Sequence, residues 1–165
     1  LAQQPNQMSA VPGHQLDILA RMGVDIVAEP AMPPLADDPA VIIDGLIGYS
    51  LKGDPYGVTR DLIAWANEQM APILSLDTPS GIDTASGTVF DPAIHATVTM
   101  TLALPKEGLR APSAAPLVGE LYLADISVPP ELYAEPALGL KVGHIFAKSD
   151  IVRLCTQNIE ATDQR

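Results

Sequence analysis

Three loops of this chain contain residue types suited to acid–base and anion-binding chemistry, and each follows a run of apolar residues. In the first, Asp77 comes directly after residues 73–76, and Pro79, Ser80 and Gly81 form a tight turn beside it. A carboxylate partly buried at such a position can serve as a general acid or base. Ser80 is a candidate hydroxyl ligand, helix N-cap or nucleophile, although the G-x-S-x-G pattern of a nucleophile elbow is absent.

The second loop has a glycine at each end of its first six residues and a lysine between them. Backbone N–H groups of such a loop can approach an anion, and Lys52 adds a positive charge. The loop matches neither G-x-G-x-x-G nor a Walker A motif, so a plain strand-to-helix turn remains the alternative. Its candidate ligand-binding residues are Gly48, Tyr49, Ser50, Leu51, Lys52, Gly53 and Asp54.

Two further charged residues lie within or just after apolar runs. Asp44 is inside residues 40–47, and a buried carboxylate must be hydrogen-bonded, paired, bound to a cation or protonated. Both a functional and a structural role are therefore open for Asp44. Lys106, in the third loop, follows the run 96–104 and could pair with Asp77, bind phosphate or be a solvated loop lysine. Asp125 is expected to cap the turn that follows it.

The order of these runs predicts the elements that must position the loops. We expect helices at 14–22, 59–70, near 130 and from 149 to 154, and strands at 24–28, 40–47, 73–76, 96–104 and 119–126. Residues 40–47 are apolar at almost every position, which is typical of a central parallel strand buried on both faces. Strand, loop, helix and strand in this order form a right-handed βαβ unit, so the fold class is α/β with a mostly parallel sheet. Ligands of such sheets bind beyond the carboxyl ends of the strands.

Composition narrows the class of protein further. The 165 residues fit one domain, and a formal net charge of −11 argues against nucleic-acid binding and against docking on anionic lipid. No apolar run approaches the ~20 residues of a membrane span. The single Cys155 rules out an intrachain disulfide framework, and with no visible signal peptide we expect a cytoplasmic location. Because the chain starts at Leu1, either its N-terminus was processed or the sequence is a fragment.

Four segments in order form a more specific pattern than any one loop. They are VIIDGLIGYSLKG at 41–53, LDTPSGID at 76–83 followed by Gly87, TLALPKEGL at 101–109 and VGELYLADI at 118–126. This series resembles the YjeF N-terminal domain family, the NAD(P)H-hydrate (NAD(P)HX) epimerases, from about residue 14 to 154. The resemblance implies a three-layer α/β/α Rossmann-like domain over 14–154, with a frayed segment at 1–13 and a tail or linker at 155–165.

The resemblance also implies an activity and roles for residues. The family interconverts the R and S forms of NADHX and NADPHX, so that an ADP- or ATP-dependent dehydratase, fused in some bacterial proteins, can restore the cofactor. Asp44 and Ser80 match positions that hold a potassium ion, and residues 48–54 match the stretch that contacts substrate phosphates. Asp77 matches a substrate-contacting carboxylate and is the candidate acid/base, and Lys106 matches a lysine near the site. A homodimer is expected.

The chain departs from the family pattern in two places. The Asn-Gly-Gly-Asp-Gly-type loop that precedes these segments in the family has no counterpart here, so we expect the first strand, its glycine loop and the next helix to be missing. That leaves open a fragment that does not turn over substrate. Many members have Gly-Thr-Gly-Leu where Gly48-Tyr49-Ser50-Leu51 stands. The alternatives to an epimerase are a non-catalytic binding or scaffold domain and, weakest, a hydrolase with Ser80 as nucleophile.

Overall fold

Five strands form one sheet in which chain order and spatial order agree. The computed structural model describes residues 6, 8–27, 39–48 and 51–154. The helices are α1 (Ala10–Arg21), α2 (Gly57–Asn67), α3 (Ala115–Val118) and α4 (Pro130–Ala134), with a 3₁₀ turn at Glu107–Arg110. The strands are β1 (Ile42–Asp44), β2 (Ile73–Leu76), β3 (Val98–Leu102), β4 (Glu120–Ala124) and β5 (Ile151–Arg153).

The sheet is parallel from β1 to β4, and β5 pairs with β4 antiparallel. The carboxyl ends of β1, β2, β3 and β4 therefore lie along one edge of the sheet. This arrangement confirms the predicted α/β class with a mostly parallel sheet. It also places the loops after residues 44, 76 and 102 next to one another along this edge.

One face of the sheet carries the buried core. Helix α2 places Ile63 and Ala66 against Ile73 of β2, in a cluster completed by Ile94 and Ala96. A second cluster, next to β4, consists of Ile82, Leu109, Ala114, Val118 and Leu121. The connections after β1, β2 and β3 supply the residues that cover this face. Such burial stabilises the fold by about 25 cal/mol per Å² of apolar surface removed from water.

The opposite face is less covered among the residues that the structure describes. Ile43 of β1 is 61% exposed and Leu76 of β2 is 42% exposed. The expectation that residues 40–47 form a strand buried on both faces is therefore wrong for the described part of the molecule. An apolar run reports which residues avoid water, but a neighbouring element must exist on each face before both can be buried.

Several predicted elements differ in the structure. Residues 24–27 form no strand, and Ala28 lies outside the described residues. Residues 151–153 form strand β5 and not a helix, because β-branched Ile151 and Val152 pair with β4. Helix α1 begins at Ala10, inside the segment expected to be frayed, and Pro12 is tolerated in its first turn, where backbone N–H groups lack intrahelical partners.

Helix α2 also has bounds different from those predicted. It begins at Gly57, with Tyr56 at the N-cap, and ends at Asn67, whereas the sequence predicts a helix at 59–70. Met70, inside the predicted helix, lies beyond the observed one and is 96% exposed. None of the helices in the described part of the chain is long and apolar enough to cross a bilayer.

Candidate active site

A carboxylate and an ammonium group meet where β2 and β3 end. Lys106 donates from Nζ to Asp77 Oδ1 in a close ion pair, and it also donates to the carbonyl oxygen of Leu102 at 2.7 Å. The same Asp77 oxygen accepts the backbone N–H of Leu102 at 3.0 Å and the hydroxyl of Thr101 at 3.3 Å. Asp77 Oδ2 accepts no hydrogen bond from any described residue. The sequence-based proposal that Lys106 could pair with Asp77 agrees with this geometry.

The backbone at Asp77 is held in an uncommon conformation. Its φ is 68°, in the left-handed region that non-glycine residues rarely adopt. The Asp77 N–H donates to the carbonyl oxygen of Met100 at 2.8 Å, so the chain is still tied to β3 at this point. Such strain persists only where surrounding contacts over-determine it, and it concentrates at functional sites. Here it turns the chain sharply after β2, with the Asp77 carboxylate bonded to the end of β3.

Lys106 is positioned by a close backbone contact. The Gly108 N–H donates to the Thr84 carbonyl oxygen at 2.9 Å. A Cβ added to Gly108 would lie 2.5 Å from the Asp83 carbonyl oxygen and 2.7 Å from the Gly87 nitrogen. Only glycine allows this approach, which packs the 3₁₀ turn after Lys106 against the loop after Ser80.

That loop is held by Asp83. Hydrogen bonds from the Ser86 backbone N–H, the Ser86 hydroxyl and the Ala85 backbone N–H hold the pKa of the Asp83 carboxyl below its usual value. These hydrogen bonds lie within the loop itself and do not involve Gly108. The segment that carries Lys106 therefore packs against a loop whose own hydrogen bonds fix its conformation.

Replacement of Gly108 by alanine should lower stability and displace Lys106. The added methyl group meets backbone atoms that cannot rotate away, and overpacking of this kind costs about 1–3 kcal/mol. Urea unfolding followed by circular dichroism measures the change. Gly13→Ala is the matched control, because no atom lies within 4 Å of a Cβ at Gly13. Equal stability of the two variants would contradict the close-packing argument.

A second polar cluster lies deeper, where β1 ends. Asp44 is 3% exposed and Ser80 is fully buried. Asp44 Oδ1 accepts the Ser80 hydroxyl at 2.6 Å and the Leu46 N–H at 3.2 Å. Asp44 Oδ2 accepts the Ser75 hydroxyl at 2.8 Å and the Ser80 N–H at 2.9 Å. The structure therefore brings together the two residues matched to a cation site.

The donor set can be compared with the needs of a potassium ion. Asp44 and Ser80 offer hard oxygen atoms, and no Lys or Arg of the described residues forms an ion pair with Asp44. All four lone-pair directions of the carboxylate are already used by protein donors. A cation bound directly to Asp44 would therefore replace one of them, and the Leu46 N–H is the most distant. No group of three or more His, Cys, Asp or Glu side chains suited to a metal occurs in the described ranges.

Ser80 is poorly placed to be a nucleophile. Its hydroxyl donates to Asp44 and accepts the Ile47 N–H at 2.9 Å, with none of the residue exposed. A nucleophile must be accessible to its substrate, and the Ser80 side chain is not accessible in the described structure. The hydrolase alternative therefore has no geometric support.

The loop after β1 lines a cavity of about 740 Å³. Leu51, Lys52, Gly53 and Asp54 contribute to its wall, together with Gly57 at the start of α2. The N-terminus of α2 and the Lys52 ammonium group both favour an anion. Gly48 is exposed at the start of the loop but does not line the cavity, while Tyr49 and Ser50 lie outside the described residues. Asp54 accepts the Asp91 N–H at 3.0 Å, so one of its oxygens holds a neighbouring loop.

The sequence does not single out two buried residues of these clusters. Ser75 holds Asp44 and Thr101 holds Asp77, and each is fully buried. Side chains alternate between the two faces of a strand, and Ser75 pairs in register with Asp44, so both point to the same face. This alternation is the feature of the sequence that could have indicated Ser75. Asp125 does cap its turn as expected, accepting the Ser127 N–H at 2.8 Å.

Comparison with known proteins identifies the family of this chain. The family model described as "YjeF-related protein N-terminus" matches residues 1–108, which include both polar clusters and Lys106. This chain belongs to that family. The resemblance read from four segments of the sequence is thereby confirmed.

Curated relatives of this YjeF-family chain carry consistent names. A protein of Dehalogenimonas lykanthroporepellens named NAD(P)H-hydrate epimerase is 40% identical over 134 residues, covering 79% of this chain and 51% of the relative. One of the same name from Truepera radiovictrix is 35% identical, covering 79% of this chain and 56% of the relative. The "Bifunctional NAD(P)H-hydrate repair enzyme Nnr" of Salinibacter ruber is 32% identical, and the match covers 79% of this chain and 26% of that relative. The chain thus spans about half the length of the first two.

A solved structure supports the fold. The crystal structure of the yeast protein YNL200c matches with a TM-score of 0.54 and 20% sequence identity, covering 70% of this chain and 46% of that one. At this identity the likeness concerns the fold alone. It agrees with the α/β architecture and the mostly parallel sheet.

Proposed function

We propose that this chain carries the catalytic site of an NAD(P)H-hydrate epimerase, which interconverts the R and S forms of NADHX and NADPHX. The observation that carries the proposal is the Asp77–Lys106 pair at the carboxyl ends of β2 and β3. It lies in a chain whose family membership is shown and whose curated relatives bear the name of this activity. The activity is an isomerisation and requires no net change in atoms or electrons.

Asp77 is proposed to move the proton. The carbon to be inverted carries a hydroxyl group beside a ring nitrogen. In a ring-opened route the hydroxyl loses its proton as the bond from this carbon to the nitrogen breaks and the nitrogen gains a proton. In an iminium-like route the hydroxyl takes up a proton and leaves as water, which then adds to the other face and gives the proton back. Three bonds to Asp77 Oδ1 fix the carboxylate and leave Oδ2 for the substrate. Lys106 and Leu102 thus orient the second carboxylate oxygen, which accepts no hydrogen bond from the described residues, and general acid–base catalysis by such a group contributes about 10²–10⁴-fold.

The 740 Å³ cavity is proposed to hold the substrate phosphates. Lys52 and the N-terminus of α2 supply positive potential there, in a chain whose net charge of −11 otherwise repels a pyrophosphate. Gly48, Tyr49, Ser50, Leu51, Gly53 and Asp54 complete the proposed substrate-binding loop.

Potassium is the proposed ion at Asp44 and Ser80. When bound, it would neutralise part of the pyrophosphate charge. The residues themselves hold the loop after β1 against the loop after β2, since Ser80 accepts the Ile47 N–H and donates to Asp44. These hydrogen bonds fix the position of the phosphate cavity relative to Asp77.

The partners follow from the proposed reaction. The R and S hydrates are the substrates, and an ADP- or ATP-dependent dehydratase would use the product. Relatives named as bifunctional repair enzymes are consistent with a physical or functional link between the two activities. The homodimer, the cytoplasmic location and the absence of nucleic-acid and membrane partners stay predictions.

An epimerisation assay tests the proposal. A dehydratase specific for the S form is mixed with the R form of NADHX, protein is added, and recovery of NADH absorbance is followed. The 165-residue chain and the full product of its gene are compared. Recovery above the spontaneous rate with either protein supports the function. No recovery with both, together with capture of a tight protein partner, would favour the binding-domain alternative.

A further inference from the structure

An acidic side chain lies in the wall of the phosphate cavity, two residues after the lysine that favours an anion there. Asp54 and Lys52 both line this cavity. A carboxylate close to a phosphate weakens binding, because like charges repel. Within the described ranges, no Lys or Arg forms an ion pair with Asp54, so its charge is not neutralised locally. Contact with phosphate therefore does not explain the position of this carboxylate.

The Asp54 carboxylate instead binds the backbone of a different loop. Its Oδ1 accepts the Asp91 N–H at 3.0 Å, across 37 residues of chain. A hydrogen bond to a charged acceptor is stronger than one between neutral groups. Ser80 already fixes the start of the loop that precedes α2, by accepting the Ile47 N–H, and Asp54 fixes its end. We call residues 90–95, to which Asp54 is bound, the bridging segment.

The bridging segment is fixed to the turn that follows β2. The Phe90 N–H donates to the Gly81 carbonyl oxygen at 2.9 Å, and the Ile94 N–H donates to the Ser80 carbonyl oxygen at 2.8 Å. A Cβ added to Gly81 would lie 2.6 Å from the Ala93 Cα, so the two stretches of backbone are in direct contact. The turn held in this way is the one that carries the proposed acid/base.

Helix α2 holds the bridging segment as well. Asn67, the last residue of α2, uses both ends of its side-chain amide: Nδ2 donates to the Ala93 carbonyl oxygen at 2.8 Å, and Oδ1 accepts the His95 N–H at 2.9 Å. The opposite end of this helix lines the phosphate cavity. These contacts do not involve Asp54, so the bridging segment is anchored without it and can serve as a fixed point for the loop.

We propose that Asp54 is a positioning residue, whose carboxylate holds the substrate-binding loop against the bridging segment and does not contact the phosphates. The inference rests on the proposed function for the identity of the anion. One substrate molecule must reach the phosphate cavity and Asp77 together, so the separation between these two places has to be maintained. A misplacement of about 1 Å at such a distance from the chemistry can slow a reaction roughly 10²-fold.

Two variants of Asp54 separate the hydrogen bond from the charge. Asp54→Asn removes the charge and keeps an oxygen that can accept the Asp91 N–H, whereas Asp54→Ala removes both. Calorimetric titration of the full gene product with ADP-ribose measures affinity for a pyrophosphate. Asp54→Asn should bind about two- to fivefold more tightly than wild type, because a repulsive charge is gone. Asp54→Ala should bind roughly tenfold more weakly, the usual size of a lost hydrogen bond to a charged group.

Asp61 provides the matched control. It pairs with Arg60 on the surface of α2 and does not line the cavity. Asp61→Ala and Asp61→Asn change the net charge in the same way as the Asp54 variants, and the two should have equal affinities for ADP-ribose.

Hydrogen exchange of the Asp91 amide, followed by NMR on the ligand-free protein, tests the contact directly. Exchange should be roughly tenfold faster in Asp54→Ala and close to the wild-type rate in Asp54→Asn, because only the first variant lacks the acceptor. An Asp91 amide that is indifferent to Asp54→Ala would show that Asp54 does not act through the bridging segment.

Other outcomes also overturn the proposal. Equal affinities of Asp54→Ala and Asp54→Asn would mean that only the charge matters, and no binding of ADP-ribose by the wild-type protein would remove the phosphates from this cavity. The epimerisation assay is independent of these measurements. A protein with the expected Asp54 pattern but no epimerisation would retain the positioning role and lose the proposed activity, and active protein with equal affinities would do the reverse.

Discussion

Asp77→Asn is expected to slow epimerisation by about 10²–10⁴-fold, the contribution typical of a general acid–base group. The amide has nearly the same shape as the carboxylate and can still accept at Oδ1, where Leu102, Thr101 and Lys106 donate. It cannot take up a proton at the position of Oδ2. The loss should therefore fall on kcat, with a small change in KM. The coupled dehydratase assay measures both quantities on whichever form of the protein is active.

Stability measurements separate this effect from unfolding. Asp77 is only partly buried, and Lys106 keeps its bond to the Leu102 carbonyl oxygen in the variant, so the unfolding midpoint should change little. Asp61→Asn is the control, because Asp61 pairs on the surface with Arg60 and belongs to neither polar cluster. Near-wild-type turnover by Asp77→Asn would sink the assignment of Asp77 as the acid/base.

Asp44→Ala is expected to have the largest effect on stability, about 3–5 kcal/mol by analogy with removal of one partner from a buried charged network. The substitution leaves four donors without an acceptor: the Ser75 and Ser80 hydroxyls and the Ser80 and Leu46 N–H groups. An unsatisfied buried donor costs about 1–3 kcal/mol, and relaxation recovers part of the sum. Since whole domains are stable by about 5–15 kcal/mol, this single change could consume much of the total.

Urea unfolding of Asp44→Ala is compared with that of Asp61→Ala, and the difference in free energy of unfolding measures the contribution of the buried hydrogen bonds. The exposed Arg60–Asp61 pair should be worth less than about 1 kcal/mol, so that variant reports the cost of removing an ordinary surface carboxylate. A difference between the two below about 1 kcal/mol would mean that the Asp44 oxygens are not essential acceptors. The same measurement with and without potassium chloride, against sodium chloride at equal ionic strength, tests the cation: potassium-specific stabilisation of wild type that Asp44→Ala lacks is the expected result.

The positions of the reactive loops could be predicted from the sequence. Asp77 directly follows the run 73–76 and Lys106 comes two residues after the run 96–104, and the parallel-sheet rule places the ends of these strands on one edge. The pairing of Asp77 with Lys106 was foreseen as one option among three for the lysine. The strand period, had it been applied to Ser75 and Thr101, would also have indicated the buried partners.

Short segments without a strong period were predicted poorly. Residues 24–27 contain β-branched residues but form no strand in the structure, and residues 149–154 were expected to be helical yet pair with β4. Strand formation depends on a partner, and the partner of β5 lies some thirty residues earlier in the chain, by the pairing of Tyr122 with Arg153. Local propensity does not contain that information.

The sequence by itself determined the fold class, the family and the identity of the residues that could act, because these depend on local runs, their order and their spacing. Only the tertiary structure decided what those residues do to each other. Asp44 and Ser80 are 36 residues apart, and Asp77 and Lys106 are 29 apart, yet each pair is joined by a hydrogen bond. The saturation of Asp44 by four donors and the three hydrogen bonds on Asp77 Oδ1 arise from packing between distant segments, because burial and hydrogen-bond partners are properties of the assembled chain.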